Sequence, residues 1–292
     1  MEFLHRFDSL NGDAVIVATD AEKLRAAAFL DGRENFANGE RLVRFGPADL
    51  RSGDPARFIF HVGFCGSTLL ARLVDQPGSV LALREPQSLT DIASQRRAIR
   101  AGQGIADCAG IIGHALAYLG QGEDTIVIKP SNWVNGALPD LVASGAVARA
   151  VFLTCNRREF LIAAFRGGRD RLAFCARLAS ELADEVAHGE TILAHQVALN
   201  QEPLDRMARI CVLLHAMQEA LFAQALARAA IPGAAMLTLA ELTADPGGTM
   251  ATRASPRLIF RPMGKCAQCR RTCGACERSS APLFPCGFSA TE

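Results

Sequence analysis

Residues 58–74, FIFHVGFCGSTLLARLV, place an apolar run, a glycine-bearing turn and an amphipathic stretch in immediate succession. A strand that leaves a sheet through such a turn and enters a helix presents unpaired backbone N–H groups, and these can wrap a phosphate or sulfate oxygen. Gly63 and Gly66 let the chain come close, and the amides of Phe64 and Cys65 lie between them. Ser67 and Thr68 add hydroxyl donors at the first helical turn, and Leu69, Leu70, Leu73 and Val74 are the expected buried stripe. The bland alternative is a tight strand-to-helix turn with no ligand. The triphosphate-binding pattern GxxxxGK[ST] places a lysine after its second glycine, whereas Ser67 follows Gly66 directly. No later apolar strand ends in an aspartate to hold magnesium, so a metal-bound triphosphate fits poorly and no metal is expected.

Two other short stretches bring charge to strand ends. Only three of the basic residues are lysines, Lys23, Lys129 and Lys265, and Lys129 stands at the end of TIVIK with Pro130 behind it. It reads either as a site cation or as a surface lysine. In LALREPQ, residues 81–87, Glu85 is a candidate base with Arg84 orienting it or touching the anion. The competing reading is a surface ion pair closing a loop. Trp133 and Asn132 follow Lys129 and are candidates for lining an acceptor pocket. His61 sits inside the apolar run and reads as a hydrogen-bonded core side chain, while the remaining histidines have no partner visible in the sequence.

These groups need a scaffold with several strand ends side by side. Strand-length apolar runs fall at 58–62, 80–83, 125–128, 149–153 and 234–239, and helical spacing fills 69–76, 88–101, 105–119, 133–144, 170–188 and 203–230. Alternation of this kind predicts an α/β sandwich, a mostly parallel sheet covered on both faces by helices. Residues 1–57, with a strand at AVIVAT and a helix at AEKLRAAAFL, read as an N-terminal extension packed on the 58–250 body.

The bulk numbers narrow the function. A 292-residue chain with half its residues apolar can bury a large core, and a net charge of +1 argues against nucleic-acid binding. The N-terminus lacks the basic start and unbroken apolar run of a signal peptide, and segment 207–231 is interrupted by Arg209, Gln218, Glu219, Gln224 and Arg228. A cytoplasmic protein with no membrane partner is expected. Residues 251–292 carry seven basic residues against two glutamates and five of the ten cysteines, in CAQCRRTCGAC and at Cys286. The three-residue gap between the CxxC pairs is short for a zinc site, and the stretch reads as a disordered tail or the product of a shifted reading frame in a GC-rich gene.

GFCGSTLLARLV resembles the loop of the sulfotransferase superfamily, usually PRSGST or PKSGTT followed by two apolar residues. VIKPSNW (127–133) is similar to the family's K-x-P or K-P element, ARAVFLTCNRREFLIAAFRGGR (148–169) to its FIxLxRDPRDVxxS segment, and MLTLAELTADP (236–246) to the vxYEDLxxDP element of many bacterial members. The resemblance covers about 58–246 and implies a three-layer sandwich of P-loop NTPase-like topology. It also implies transfer of sulfate from 3′-phosphoadenosine 5′-phosphosulfate (PAPS) to a small hydroxyl or amine acceptor, leaving 3′,5′-ADP. Residues 63–68 would bind the donor, Lys129 would supply a cation, Glu85 would be the base, and Arg157 and Arg158 would approach the 3′-phosphate. The alignment puts Phe64 at the usual basic position of the loop, and Cys155 and Ala163 at the arginine and serine that grip the 3′-phosphate. These departures leave open an altered donor, a small-molecule kinase using ATP and magnesium, or a binding protein that has lost catalysis.

Overall fold

The computed structural model describes residues 1–250 except 123, 200, 201, 229 and 230. The cysteine-rich tail discussed above lies outside these residues. The chain opens with β1 (Glu2–Phe7), β2 (Asp13–Ala18), the short helix α1 (Ala21–Ala26) and β3 (Gly39–Arg44), and the three strands form an antiparallel sheet in that order. Of this unit the sequence reveals only β2 and the start of the helix. β1 is too interrupted by His5 and Arg6, and β3 is too exposed, to show an apolar pattern.

The second sheet is built from β4 (Ala56–His61), β5 (Val80–Arg84), β6 (Thr125–Lys129), β7 (Val147–Thr154) and β8 (Ala235–Thr238). All its pairings are parallel and its order is β5-β6-β4-β7-β8. Helices make the crossovers: α2 (Ser67–Val74), α3 (Gln87–Arg100), α4 (Cys108–Leu119), α5 (Leu138–Ala143), α6 (Arg157–Arg166), α7 (Gly168–Leu182), α8 (Gly189–Ala198) and α9 (Pro203–Ala227). After β8 come α10 (Leu239–Ala244) and α11 (Pro246–Thr249). All five strand expectations hold within a few residues. The helix expected over 133–144 is instead a 3-10 turn, Asn132–Ala137, capped by the Ser131 hydroxyl and running into α5. In α2 the buried residues are Ser67, Leu70, Ala71 and Val74, while Leu69 faces outward and Leu73 is half-buried.

The core explains the strand order. β4 is central and apolar on both faces, with Phe58, Ile59 and Phe60 fully buried, and Phe60 stacks on Phe152 of β7. A strand needing cover on both sides takes the middle of a parallel sheet. The chain leaves β4 toward β5 and β6 on one flank and later returns to β7 on the other, which opens a crevice at the carboxyl end of β4. By length and composition α9 could cross a membrane, but half of the qualifying stretch is buried, and Ile210, Cys211, Leu214, Leu221 and Phe222 pack it as a core helix.

Two buried arginines fasten the pieces. Arg84 was a candidate site residue, but its guanidinium turns away from Glu85 and donates to the carbonyls of Leu24, Arg25 and Ala27 at the end of α1. The two side chains leave the strand end for different partners, Arg84 for the end of α1 and Glu85 for Lys129, so Arg84 anchors the N-terminal unit rather than orienting Glu85. Arg96 of α3 pairs with Glu181 at 3.1 Å and Glu185 at 2.9 Å, tying α3 to the end of α7.

The antiparallel sheet meets α4 through an aromatic cluster in which His114 lies 5.4 Å from Phe7 and 4.5 Å from Phe45. Its Nδ1 accepts from the Arg51 N–H at 3.0 Å, and its Nε2 is buried without a partner. Burial, then the nearby Arg51 charge, lowers the His114 pKa to about 4. Between the ordinary histidine value and that lowered one, the unfolded chain binds the proton and the folded chain does not. Stability is therefore expected to fall as pH drops from 6.5 towards 4, on the order of 2 kcal/mol from this residue. Denaturant titrations at pH 7 and pH 4.5 check this: His114→Gln should flatten the pH dependence, and an unchanged slope would contradict the assignment.

Candidate active site

The backbone after β4 takes three left-handed residues in four positions, Gly63 at φ 87°, Phe64 at φ 55° and Gly66 at φ 78°. For Gly63 and Gly66 the left-handed backbone disfavours a side chain, and one added there would also have to displace a neighbouring side chain. A Cβ on Gly63 would stand 2.8 Å from Asn132 Nδ2, and one on Gly66 would stand 2.8 Å from Leu239 Cδ1. Phe64 has no such exemption, and a non-glycine residue there costs roughly 1–2 kcal/mol. Among the described residues the amides of Phe64, Cys65 and Gly66 find no hydrogen-bond acceptor. Gly66 caps α2 without any side-chain bond, leaving the first turn with Ser67 and Thr68 open.

Three buried side-chain amides hold the chain where it turns. Gln218 of α9 donates to the Val62 carbonyl at 2.9 Å, Asn135 donates to the His61 carbonyl at 3.0 Å and to Gln218 Oε1 at 2.9 Å, and Asn132 donates to the Val62 carbonyl at 3.3 Å. His61 completes the brace. Its Nδ1 accepts from the Gly63 N–H at 3.0 Å, so its proton sits on Nε2 and is donated to the Pro130 carbonyl at 2.9 Å. Burial, with Lys129 nearby, keeps its pKa well below the ordinary histidine value, and the ring stays neutral. Cys65 is buried, its thiol directed at the Leu153 carbonyl and its pKa raised by burial to about 11, so only its backbone faces a ligand.

The loop forms one wall of a cleft of about 540 Å³. Glu85 and Lys129 enter from the ends of β5 and β6, and the N-terminal unit adds Phe29, Asp31 and Arg33. Lys129 is only 1% exposed and its ammonium is in short contact with the Glu85 carboxylate. Burial lowers the Lys129 pKa from its ordinary value, and the Glu85 charge works against that shift. The other Glu85 oxygen lies 3.6 Å from Arg33, which is itself paired with Asp31 at 2.6 Å and stacked on Phe29 at 4.2 Å. Glu85 is held in a left-handed conformation, φ 57°, with its N–H on the Lys129 carbonyl at 2.7 Å.

The loop residues 63–68, Glu85 and Lys129 thus converge as the sequence predicts. Arg157 and Arg158 do not join them, being exposed in the first turn of α6 and outside the cleft lining. On that side the cleft is lined instead by Arg171 and Phe174 of α7. Trp133 is half-buried, bonded to the Ser94 hydroxyl at 2.9 Å and packed on Phe174 rather than lining the cleft. Phe29, Asp31, Arg33, Arg171, Asn135 and Gln218 were not legible as site residues. Gln218 alone left a sequence signal, as a polar residue interrupting an apolar helical run. The chain matches no protein-family model and no curated protein.

Replacing Gln218 by leucine removes a donor from the Val62 carbonyl and an acceptor from Asn135. Stability should drop by about 1–3 kcal/mol, measured by denaturant unfolding, and anion binding at the loop should weaken with it. A variant as stable as the parent would show that these amides do not hold the loop.

Proposed function

We propose that the protein is a sulfotransferase-like enzyme that moves sulfate from PAPS to a small hydroxyl or amine acceptor. The observation that carries this reading is the loop at 63–68. The amides of Phe64, Cys65 and Gly66 find no acceptor among the described residues, Gly63 and Gly66 take a left-handed backbone, and the loop opens into a cleft holding a buried lysine paired with a glutamate. The strand order β5-β6-β4-β7-β8, with the loop leaving the central strand, suits a P-loop NTPase-like topology, and the family resemblance runs in the same chain order as the strands.

Sulfuryl transfer asks less of the protein than phosphoryl transfer does. The migrating group approaches neutral SO₃, so donors on the leaving phosphate and in-line placement carry most of the barrier reduction. The amides of Phe64, Cys65 and Gly66 with the Ser67 and Thr68 hydroxyls receive the 5′-phosphate. The bond from sulfur to the phosphate bridging oxygen breaks, leaving the electron pair and negative charge on 3′,5′-ADP. A bond from the acceptor oxygen or nitrogen to sulfur forms, and the acceptor proton passes to Glu85. Lys129 offsets charge on both sides of this exchange. Arg157 and Arg158 stand outside the cleft lining, so they could meet the 3′-phosphate only if the donor extends beyond the cleft.

A second reading, a binding protein without turnover, is favoured by the direct pairing of Lys129 with Glu85, which satisfies both charges before any substrate arrives. A kinase using ATP and magnesium is less well supported, because β6 ends in Lys129 and β7 in Thr154, not in a metal-binding acid.

Calorimetry separates these readings. The sulfotransferase reading predicts binding of 3′,5′-ADP without metal, and binding of only ATP with magnesium would replace it with the kinase. Glu85→Gln should slow 3′,5′-ADP release from PAPS by roughly 10²–10⁴-fold across a panel of phenols, alcohols and amines, with 3′,5′-ADP affinity within a few-fold. Binding with no release on any acceptor in the parent protein would support the non-catalytic reading.

A further inference from the structure

The loop's usual basic position is occupied by Phe64, and a cradle of amides alone provides partial charges rather than a full cation. The geometry points to Arg171 as the anion-binding residue that serves this loop from α7, carried on the Phe64 ring. The inference rests on reading residues 63–68 as an anion cradle.

Four observations converge on it. The Arg171 guanidinium carbon lies 4.8 Å from the Phe64 ring centroid, and both residues line the cleft. An arginine over an aromatic face keeps its planar edge available for hydrogen bonds while the ring holds it in place. Arg171 forms no ion pair among the described residues, whereas Arg33 and Lys129 in the same cleft are each paired with an acid. Its one side-chain hydrogen bond among the described residues is from Nη1 to the Ala163 carbonyl at 2.9 Å, which leaves Nε and Nη2 to donate elsewhere.

The local backbone is shaped to admit this side chain. A Cβ on Gly167 would come within 2.1 Å of Arg171 Nε and 2.5 Å of its guanidinium carbon, so a side chain at 167 would push the arginine off its present path. Gly167 itself has φ −80°, so its backbone conformation does not demand glycine, and what glycine there preserves is the path of the Arg171 side chain. On the other side Phe64 keeps its ring at φ 55°, packed 5.5 Å from Phe160. A glycine at 64 would relieve that backbone conformation and lose the platform. Opposed demands at 64 and 167 meet on one guanidinium.

The ligand class follows from the chemistry. A planar cation beside a ring of amide donors suits a tetrahedral oxyanion bearing more than one negative charge, the 5′-phosphosulfate of PAPS or the 5′-phosphate of 3′,5′-ADP. Arg171 thereby supplies from a helix later in the chain the charge that the loop lacks in its own sequence.

The test is calorimetry on the full chain with two probes, 3′,5′-ADP and inorganic pyrophosphate, for the parent, Arg171→Gln, Arg171→Lys and Gly167→Ala, each checked for its melting transition. The expected result is a loss of ten- to a hundredfold in 3′,5′-ADP affinity for Arg171→Gln, partial recovery for Arg171→Lys and an intermediate loss for Gly167→Ala. The salt dependence of binding should also be shallower in Arg171→Gln. If the parent binds 3′,5′-ADP and Arg171→Gln binds it within twofold, the assignment of Arg171 is overturned while the sulfotransferase reading stands. If the parent binds pyrophosphate but not 3′,5′-ADP, and Arg171→Gln loses pyrophosphate, the assignment stands and the sulfotransferase reading falls. Binding of neither probe by the parent overturns both. If Arg171→Gln melts early, Gly167→Ala decides, and unchanged affinity in that variant counts against the assignment.

Discussion

The chain must turn sharply at the end of its central strand while leaving the amides of Phe64, Cys65 and Gly66, residues that line the cleft, without an acceptor among the described residues. A buried backbone rarely leaves donors unused, because each one costs free energy when nothing replaces water. Here the cost is confined to the cleft wall. Behind it the strand end is tied down: the carbonyls of His61 and Val62 accept from Asn135, Asn132 and Gln218, and the Gly63 N–H finds His61. These ties come from three elements remote in sequence, the strand itself, the 3-10 turn after β6 and the long helix α9. The loop's shape is thus a property of the whole parallel sheet and its cover.

The same economy governs charge. Lys129 is almost wholly buried, and an isolated ammonium there would favour losing its proton. Glu85 supplies the compensating charge, and Arg33 and Asp31 from the N-terminal unit extend the pair into a short alternating chain of charges. This gives the first 44 residues a role in the cleft. Arg84, turned the opposite way, locks α1 against β5, so one dipeptide at a strand end serves both the cleft and the join between the two sheets.

The parallel sheet was legible because β4, β5, β6 and most of β7 are buried on both faces and read as apolar runs. The loop was legible for a related reason, since only glycine fits the left-handed backbone at positions 63 and 66, and glycine leaves a mark in the sequence. The antiparallel strands β1 and β3 were not legible, one being broken by charge and the other lying open to solvent. Side-chain direction at strand ends was the harder problem. Arg84 and Glu85 are adjacent and both charged, yet Arg84 closes the strand while Glu85 takes a left-handed backbone, φ 57°, that no apolar pattern reveals. Arg157 and Arg158 look suited to an anion by composition, yet they face out from the first turn of α6. Arg171 does enter the cleft, because Gly167 leaves it a path that no spacing rule reveals.

Taken together, the loop, its amide brace and the paired charges describe a cradle built before any ligand arrives. Amide chemical shifts test that directly. In ¹H–¹⁵N spectra of the labelled protein titrated with 3′,5′-ADP, the largest changes should cluster at Phe64, Cys65 and Gly66 and extend to Ser67 and Thr68. Saturable binding that leaves those amides unmoved, with changes concentrated elsewhere on the fold, would contradict the account.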